Sequence, residues 1–324
     1  MNYSKVTAIA HPMEGLIKYH GLRDHKLRIP FHDSISVNIE ALNTKTTVEF
    51  GEFDEDSFVI GGVKIRNDNA QRMLSVINTV REIANIKDKV KVESENSISY
   101  KKAKGLGFSS SAGAALARAT YNASGLDEKI GIDMKLLSRI SRRLAGSACR
   151  STVGGFSRWV AGTGDESSYA YRIENSKELD LMIIIVPVYS SIKTEEAHKE
   201  VMSSPFFDAR VSSAFKRVNE MEKAIKNGEF NKIGWLSEID SLELHALTMT
   251  GKNAKIVVTS KTLQIIEMVR NLRKKGIKAY FSMQTGPSVF INTQAESVKQ
   301  IEDKIKELGF EYITSKIGGP TKII

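Results

Sequence analysis

The sequence predicts an α+β fold built in two parts, and three observations predict it. Residues 34–65 alternate apolar and polar side chains in the manner of strands, and amphipathic helices follow them. The apolar run Asp180-Leu-Met-Ile-Ile-Ile-Val-Pro-Val188 then reads as a buried strand that opens a second unit. That unit closes on a strand, a helix and a strand, so mixed sheets carry helices on one face. At 324 residues the chain is long for one core and comfortable for two domains, 1–178 and 179–324.

In order along the chain, Ser34-Ile-Ser-Val-Asn-Ile-Glu, Thr46-Thr-Val-Glu-Phe, Phe58-Val-Ile and Val63-Lys-Ile, with Gly61 and Gly62 at the last turn, read as an antiparallel meander. Met73, Val76, Ile77 and Val80 recur at helical spacing and predict a helix over 69–85. Further helices are expected over 109–124 and 133–145, and in the second unit over 206–227 and 259–276. Tyr280 to Asn292, Ala295 to Leu308 and Phe310 to Lys316 then read strand, helix, strand. There is no internal repeat, low-complexity tract or evident linker.

Composition narrows the class. No apolar run approaches the roughly 20 residues that a membrane span needs, and the N-terminus lacks the order of a secretory signal, so a cytoplasmic globular protein is expected. The only cysteine, Cys149, cannot form an intrachain disulfide or a thiolate metal cluster and reads as a small buried residue. The formal charge of +9 is spread among acids, as in Lys216 to Lys226, and not gathered with aromatics into a stripe. A small anionic substrate fits that distribution better than nucleic acid.

Three segments carry chemistry. Leu144-Ala-Gly-Ser-Ala-Cys-Arg-Ser-Thr-Val-Gly-Gly-Phe-Ser-Arg-Trp159 sets Arg150 among glycines and small hydroxyls, where Ser147 and Ser151 offer donors and the guanidinium offers a planar fork for carboxylate or phosphate. A glycine-rich helix cap and turn is the plainer alternative. Lys104-Gly-Leu-Gly-Phe-Ser-Ser-Ser-Ala-Gly-Ala-Ala-Leu-Ala117 places Gly105, Gly107, Ser109, Ser110 and Ser111 ahead of an Ala-rich helix, the composition of a phosphate cradle. It is neither a Walker loop nor a dinucleotide fingerprint, and an N-cap serine without a ligand remains open. In the third segment, Glu14 to Ser34, Lys18 follows Leu16-Ile17 and is either a solvated strand end or a cation aimed into a cleft.

These segments, in this order, resemble the mevalonate diphosphate decarboxylase family of the GHMP kinase superfamily. Ile17-Lys-Tyr-His-Gly-Leu-Arg-Asp is similar to the family's I-K-Y-W-G-K-R-D, and Pro30-Phe-His-Asp-Ser-Ile-Ser-Val to its L-P-x-N-D-S-x-S-V. Gly146-Ser-Ala-Cys-Arg-Ser-Thr-Val-Gly-Gly-Phe is similar to G-S-A-C-R-S-x-x-G-G-F. Lys193-Thr-Glu-Glu-Ala-His-Lys, Leu244-His-Ala and Gly286-Pro-Ser-Val extend the likeness over nearly the whole chain.

The resemblance implies a GHMP kinase fold, with a ribosomal-protein S5 domain 2-like N-terminal domain, a ferredoxin-like C-terminal domain, a cleft between them, and a homodimer. It implies ATP-driven phosphorylation of the 3-hydroxyl of mevalonate diphosphate, then loss of that phosphate with carbon dioxide. Carried over residue by residue, Arg150 holds the carboxylate, and Lys18 sits by the phosphate that is transferred and lost. Tyr19 and Ser147 contact the phosphate end of the substrate, and Gly105, Gly107, Ser109, Ser110 and Ser111 form the phosphate loop.

The departures are as informative as the matches. The family's second lysine is Leu22 here, which argues for one phosphate at carbon 5. The Asn upstream of Ile17 has become Met13 or Glu14, and the Trp after Tyr19 is His20, read as filling the old Trp position with a polar tip or as a substrate contact. Relatives read D-A-G-P or D-T-G-P where this chain has Gln284-Thr-Gly-Pro287, and an amide cannot act as a general base near neutral pH. The expectation drawn from these departures is a decarboxylase that converts mevalonate 3,5-bisphosphate to isopentenyl phosphate, phosphate and carbon dioxide with no cofactor. The alternatives are an ATP- and Mg2+-dependent decarboxylase of mevalonate 5-phosphate or 5-diphosphate, a mevalonate 3-kinase-like enzyme, and a silent ligand-binding relative.

Overall fold

The structure, a computed structural model, describes residues 5–66, 68–99, 105–189 and 194–324. Lys104 and Lys193, quoted in two of the segments above, lie outside the described residues. The first half contains β1 (Val6–Ala10), β2 (Met13–Ile17), β3 (Leu22–Asp24), β4 (Ile29–Pro30), β5 (Ser34–Asn38), β6 (Thr44–Gly51), β7 (Ser57–Ile60), β8 (Val63–Lys64), α1 (Asp68–Ala84) and β9 (Lys89–Asn96). It continues with α2 (Phe108–Ala123), α3 (Leu126–Ile130), α4 (Met134–Arg142), α5 (Ala148–Val153), β10 (Phe156–Val160) and β11 (Tyr169–Ile173). The second half runs β12 (Met182–Val186), α6 (Thr194–Val201), α7 (Phe207–Asn227), α8 (Phe230–Met249), α9 (Ser260–Lys274), β13 (Ala279–Met283), β14 (Val289–Thr293), α10 (Val298–Glu307), β15 (Ile313–Ser315) and β16 (Lys322–Ile323).

A six-stranded sheet in the order β16-β1-β6-β9-β7-β8 and a four-stranded sheet in the order β11-β10-β5-β2 build the first half. A second four-stranded sheet, β13-β14-β12-β15, is antiparallel throughout and builds the other half. The fold is thus α+β in two parts, as expected, but the chain does not form the expected meander over 34–65. β5 and β6 enter different sheets, and β9 lies between β6 and β7, antiparallel to the first and parallel to the second; only β7 and β8 form a hairpin of the predicted kind. Alternation reports which face of a strand is buried and is blind to which strand lies beside it. The expected strand over 280–292 is likewise two strands, β13 and β14, turned at 284–288.

The helices expected in the first half match closely. Met73, Val76, Ile77 and Val80 of α1 are all buried against the six-stranded sheet and α2, each adding roughly 1.5–3 kcal/mol of apolar burial. α2 is Ala-rich because it is enclosed. An added Cβ at Gly113 would stand 2.6 Å from the Cβ of Ala148, so this glycine lets α2 and α5 touch. That contact seats the helix bearing Arg150 against the helix that begins at the phosphate loop.

The two halves share a core. Leu16, Ile17, Ile35 and Val37 pack in one cluster with Val218, Met221, Ile233 and Phe290. The C-terminal residues also return to the first half, where β16 pairs with β1, Ile317 bridges Ile39, and Gly155 donates to the Gly318 carbonyl at 2.9 Å. Among the described residues no helix is long and apolar enough to cross a membrane.

Candidate active site

One cavity of about 420 Å³ opens between the halves and collects the predicted residues except Ser110 and Ser111. Lys18 and Tyr19 reach it from the end of β2, Ser147 and Arg150 from α5, Gly105, Gly107 and Ser109 from the start of α2, and Gln284 from the β13–β14 turn. A guanidinium and an ammonium from distant parts of the chain therefore face one space.

Arg150 is 1% exposed, and its Nε and Nη1 have no hydrogen-bond partner among the described residues. Its guanidinium lies against the rings of Tyr19 at 5.4 Å and Trp159 at 5.8 Å, which position the charge without neutralising it. Burial lowers its pKa, with no carboxylate opposing. A buried fork left unpaired in this way is suited to an anion such as a carboxylate or a phosphate. Ser147 lines the cavity just before Arg150, whereas Ser151 is fully buried and does not line it. Cys149 is also interior: its thiol donates to the Gly146 carbonyl at 3.0 Å, and burial pushes it up to about 12.

Lys18 is a cation aimed into the cleft, not a solvated strand end. It is 4% exposed; its Nζ donates to Ser241 Oγ at 3.0 Å and lies 3.6 Å from Asp240 Oδ2. Asp240 also accepts from the Lys18 backbone N–H at 2.9 Å and from Arg210 at 2.5 Å, and Arg210 donates to the Lys18 carbonyl at 2.9 Å. Burial lowers the Lys18 pKa to about 8 against the pull of Asp240 and Glu14. Burial works the other way on the Asp240 carboxyl, but Arg210 and Lys18 outweigh it and hold that group low.

Behind this pair lies Glu14, fully buried, with Oε1 accepting from Asn292 at 2.7 Å and Oε2 unpartnered among the described residues. Burial raises its carboxyl to about 7 although Asn292 and Lys18 draw it down. Gln284 does not hang free in the cavity. Its Oε1 accepts from Gly15 N–H at 2.9 Å, its Nε2 donates to Gly15 O at 3.3 Å, and its own carbonyl meets His245 Nε2 at 3.0 Å.

The phosphate loop divides its serines. Gly107 caps α2 with φ 80, a left-handed conformation suited to glycine, and Ser109 is the exposed serine that lines the cavity. Ser110 bonds back to the Gly107 carbonyl at 2.6 Å, and Ser111 bonds to Phe108 O at 3.1 Å and Thr44 Oγ1 at 2.6 Å; both side chains are buried in the fold. Beyond Ser109 the same cavity continues past Thr46, Ser94 and Asn96 to Ile60, Asn69 and Arg72. Asp240 and Ser241 hold Lys18 from behind the wall, His198 lines the cavity and His245 meets the Gln284 carbonyl; all four went unassigned in the sequence. The first two sit on α8, a helix the periodicity does not reveal; the histidines stand inside family-like phrases that carry no role by themselves.

An α+β protein of two halves, with buried cationic side chains facing one cavity between them that suits a small anionic ligand, is what this architecture defines. Residues 10–170 match the model of the diphosphomevalonate decarboxylase-like N-terminal domain, and residues 188–316 that of the mevalonate 5-diphosphate decarboxylase C-terminal domain. The phosphomevalonate decarboxylase of Haloferax volcanii is 39% identical over 99% of this chain and 98% of its own length. The mevalonate 3,5-bisphosphate decarboxylase of Thermoplasma acidophilum is 26% identical over 94% of this chain and 74% of its own. The crystal structure of the mevalonate diphosphate decarboxylase from Staphylococcus aureus superposes with a TM-score of 0.91 at 31% identity, covering 99% of this chain and 98% of that one. The chain belongs to the diphosphomevalonate decarboxylase family, a carboxy-lyase of the mevalonate pathway on the GHMP kinase fold.

Proposed function

We propose that the protein is an ATP-dependent decarboxylase of mevalonate 5-phosphate, forming isopentenyl phosphate, carbon dioxide, ADP and phosphate. The observation that carries this reading is the continuity of the cavity from Lys18 and Arg150, across the α2 N-terminus, to Ile60, Asn69, Arg72 and Ser94. A bisphosphate that arrives already phosphorylated at carbon 3 needs only the first part of that space. The residues of the second part suit a nucleotide. Ile60, Met73 and Leu116 give an apolar floor, Ser94, Asn96 and Asn69 a polar rim, and the α2 N-terminus with Ser109 an anion cradle. ATP bound there would supply the phosphoryl group that makes the C3 oxygen a leaving group. The Haloferax relative, a phosphomevalonate decarboxylase, agrees with this reading, and apolar Leu22 in place of the family's second lysine supports a single phosphate at carbon 5.

The chain's own residues account for the chemistry. Arg150 takes the substrate carboxylate and fixes the C1–C2 bond. Phosphoryl transfer passes through a loose transition state that asks mainly for positioning, so a modest proton acceptor suffices. With its pKa near 8, Lys18 has a neutral fraction that accepts the proton of the 3-hydroxyl. That proton turns it into the ammonium required next. As the C1–C2 electron pair forms the C2–C3 double bond and the C3–O bond breaks, negative charge gathers on the departing phosphate beside Lys18. Gln284 holds β2 in register for this work and is not itself a base.

Gln284 also favours a second reading, nucleotide-free decarboxylation of mevalonate 3,5-bisphosphate, because no carboxylate stands where relatives have Asp. Incubation with mevalonate 5-phosphate or with the 3,5-bisphosphate, each with and without Mg-ATP, separates the two when carbon dioxide and ADP are measured. The first reading expects carbon dioxide and ADP in equal amounts from the 5-phosphate only when ATP is present. Carbon dioxide from the bisphosphate alone, with none from the 5-phosphate, supports the second; ADP without carbon dioxide means a kinase. We also propose a homodimer, since α8 turns Trp235, Leu242 and Ala246 to solvent at helical spacing.

A further inference from the structure

We propose that Glu14 sets the charge of Lys18 from outside the cavity, as a positioning residue that touches no substrate and acts through the lysine. The inference deepens the functional reading above and rests on it for its kinetic consequence. Among the described residues that line the cavity there is no acid, so the carboxylates that act on Lys18 stand behind the wall. They are Asp240 on α8 and Glu14 on β2, and Arg210 on α7 opposes them. Two features of the packing bring Glu14 and the amine together. A Cβ added at Gly15 would stand 2.9 Å from Lys18 Cγ, so this glycine leaves room for the lysine stem to fold back along β2, across the neighbour of Glu14. Asn292 and Ser282 leave the same face of the β13–β14 pair. Asn292 donates to Glu14 Oε1 at 2.7 Å, and Ser282 Oγ lies 3.4 Å from the Gly15 carbonyl oxygen and 3.5 Å from Ser241 Oγ, the hydroxyl that accepts from Lys18 Nζ at 3.0 Å. Carboxyl and ammonium therefore stand at the two ends of one short file of polar side chains.

The two acids differ in what they can do. Asp240 accepts from Arg210 and from the Lys18 backbone N–H, and these cations hold its carboxyl low, so it stays ionised whatever Lys18 does. Glu14 has no guanidinium, and its Oε2 makes no hydrogen bond among the described residues. Burial raises its carboxyl to about 7, and only the Asn292 amide, the Lys18 charge and the nearby Ser282 hydroxyl draw it down. Lys18, lowered to about 8, changes charge in the adjoining range, so each group supports the other's charge. An ionised Glu14 keeps Lys18 an ammonium, and a protonated Glu14 releases it toward the neutral amine. His245 on α8 also feels Lys18, but burial lowers its ring to about 4 and leaves it neutral. The lysine is thus adjusted by a carboxyl kept out of the cavity, where a further negative charge would repel an anionic substrate.

Two variants test this. Glu14→Gln keeps an acceptor for Asn292 and removes the charge. Asn292→Leu keeps the carboxyl and removes the hydrogen bond that lowers its pKa, so Glu14 stays protonated to higher pH. The rate at which acetic anhydride labels Lys18, followed against pH by mass spectrometry of its peptide, gives the midpoint of the amine in the free protein with no substrate present. Both variants are expected to lower that midpoint, Glu14→Gln by about 0.5–1 pH unit and Asn292→Leu by less. The two reactions then move in opposite directions between about pH 7 and 8. With mevalonate 5-phosphate and Mg-ATP, where the neutral amine accepts the 3-hydroxyl proton, Glu14→Gln reaches roughly two- to threefold more of its plateau kcat/KM than wild type does. With supplied 3,5-bisphosphate, where the ammonium is needed, it keeps roughly two- to threefold less. Misfolding cannot raise one and lower the other. Should Glu14→Gln not fold, Asn292→Leu carries the comparison. A folded variant of either kind with the wild-type labelling midpoint overturns the proposal. Labelling midpoints that fall while the kinetic profiles stay where they were leave Glu14 in its role and overturn Lys18 as the proton acceptor of the functional reading.

Discussion

Gln284 holds the backbone of Gly15 from both sides, accepting its N–H at 2.9 Å and donating to its carbonyl at 3.3 Å. Only an amide can do both, because a carboxylate would set its charge against the Gly15 carbonyl. The side chain at the family's acid position has become a clamp between the β13–β14 turn and β2, three residues before Lys18. Gln284→Glu is therefore expected to lose about 1–2 kcal/mol of stability and to gain no rate. Thermal melts and steady-state carbon dioxide release check this; a rate rise of tenfold or more would mean that an acid suits the chemistry after all.

Arg150 is expected to trade stability for function. Arg150→Leu removes the partner of the substrate carboxylate, and turnover should fall by about three orders of magnitude or more, as when one member of a buried charge pair is deleted. The same change removes a buried, unpaired guanidinium from the free protein, so the melting temperature should rise. Normal turnover in this variant would refute the assignment, and a large drop in melting temperature would show that the charge is paired in the free protein.

Lys18 and Arg150 were legible because a short family-like phrase surrounds each, and α1 was legible because its apolar residues occupy one face. α8 was not. Its buried face carries Leu236, Leu244 and Leu247, its outward face Trp235 and Leu242, and a helix apolar on both sides shows no period to detect. With α8 went Asp240 and Ser241, which hold Lys18. The contact of Glu14 with Asn292 was out of reach for another reason: it joins strands of different halves, and nothing local in either segment points to the other. β6 and β9 illustrate the same limit: β6 lies within the run that reads as strands, β9 was not among the expected elements, and the two pair across β7, β8 and α1, which separate them in the chain.

The pH profile should report Lys18. Its pKa in the free protein is lowered to about 8, and kcat/KM reads the free protein. If the neutral amine accepts the 3-hydroxyl proton, kcat/KM for mevalonate 5-phosphate rises as pH climbs toward 8 and levels above it. Supplied 3,5-bisphosphate reverses the sign, because elimination alone needs the ammonium and slows above that pH. Parallel profiles for the two substrates would remove the proton-accepting role. Lys18→Met should abolish both reactions at every pH.

The outward face of α8 is expected to be an interface between two copies. Trp235 is 54% exposed and Leu242 39%, with Ala246 on the same stripe, half-buried Ile239 and Met249 beside it, and Phe215 of α7 66% exposed. Singly exposed apolar residues are ordinary, but a continuous stripe with an aromatic anchor is the composition of an interface core. None of these residues lines the cavity, so charge placed here tests assembly apart from chemistry. Trp235→Glu combined with Leu242→Lys should convert a dimer to a monomer in sedimentation while leaving a folded chain by circular dichroism. A wild-type protein that sediments as a monomer at high micromolar concentration would leave the stripe without its second copy and refute the interface.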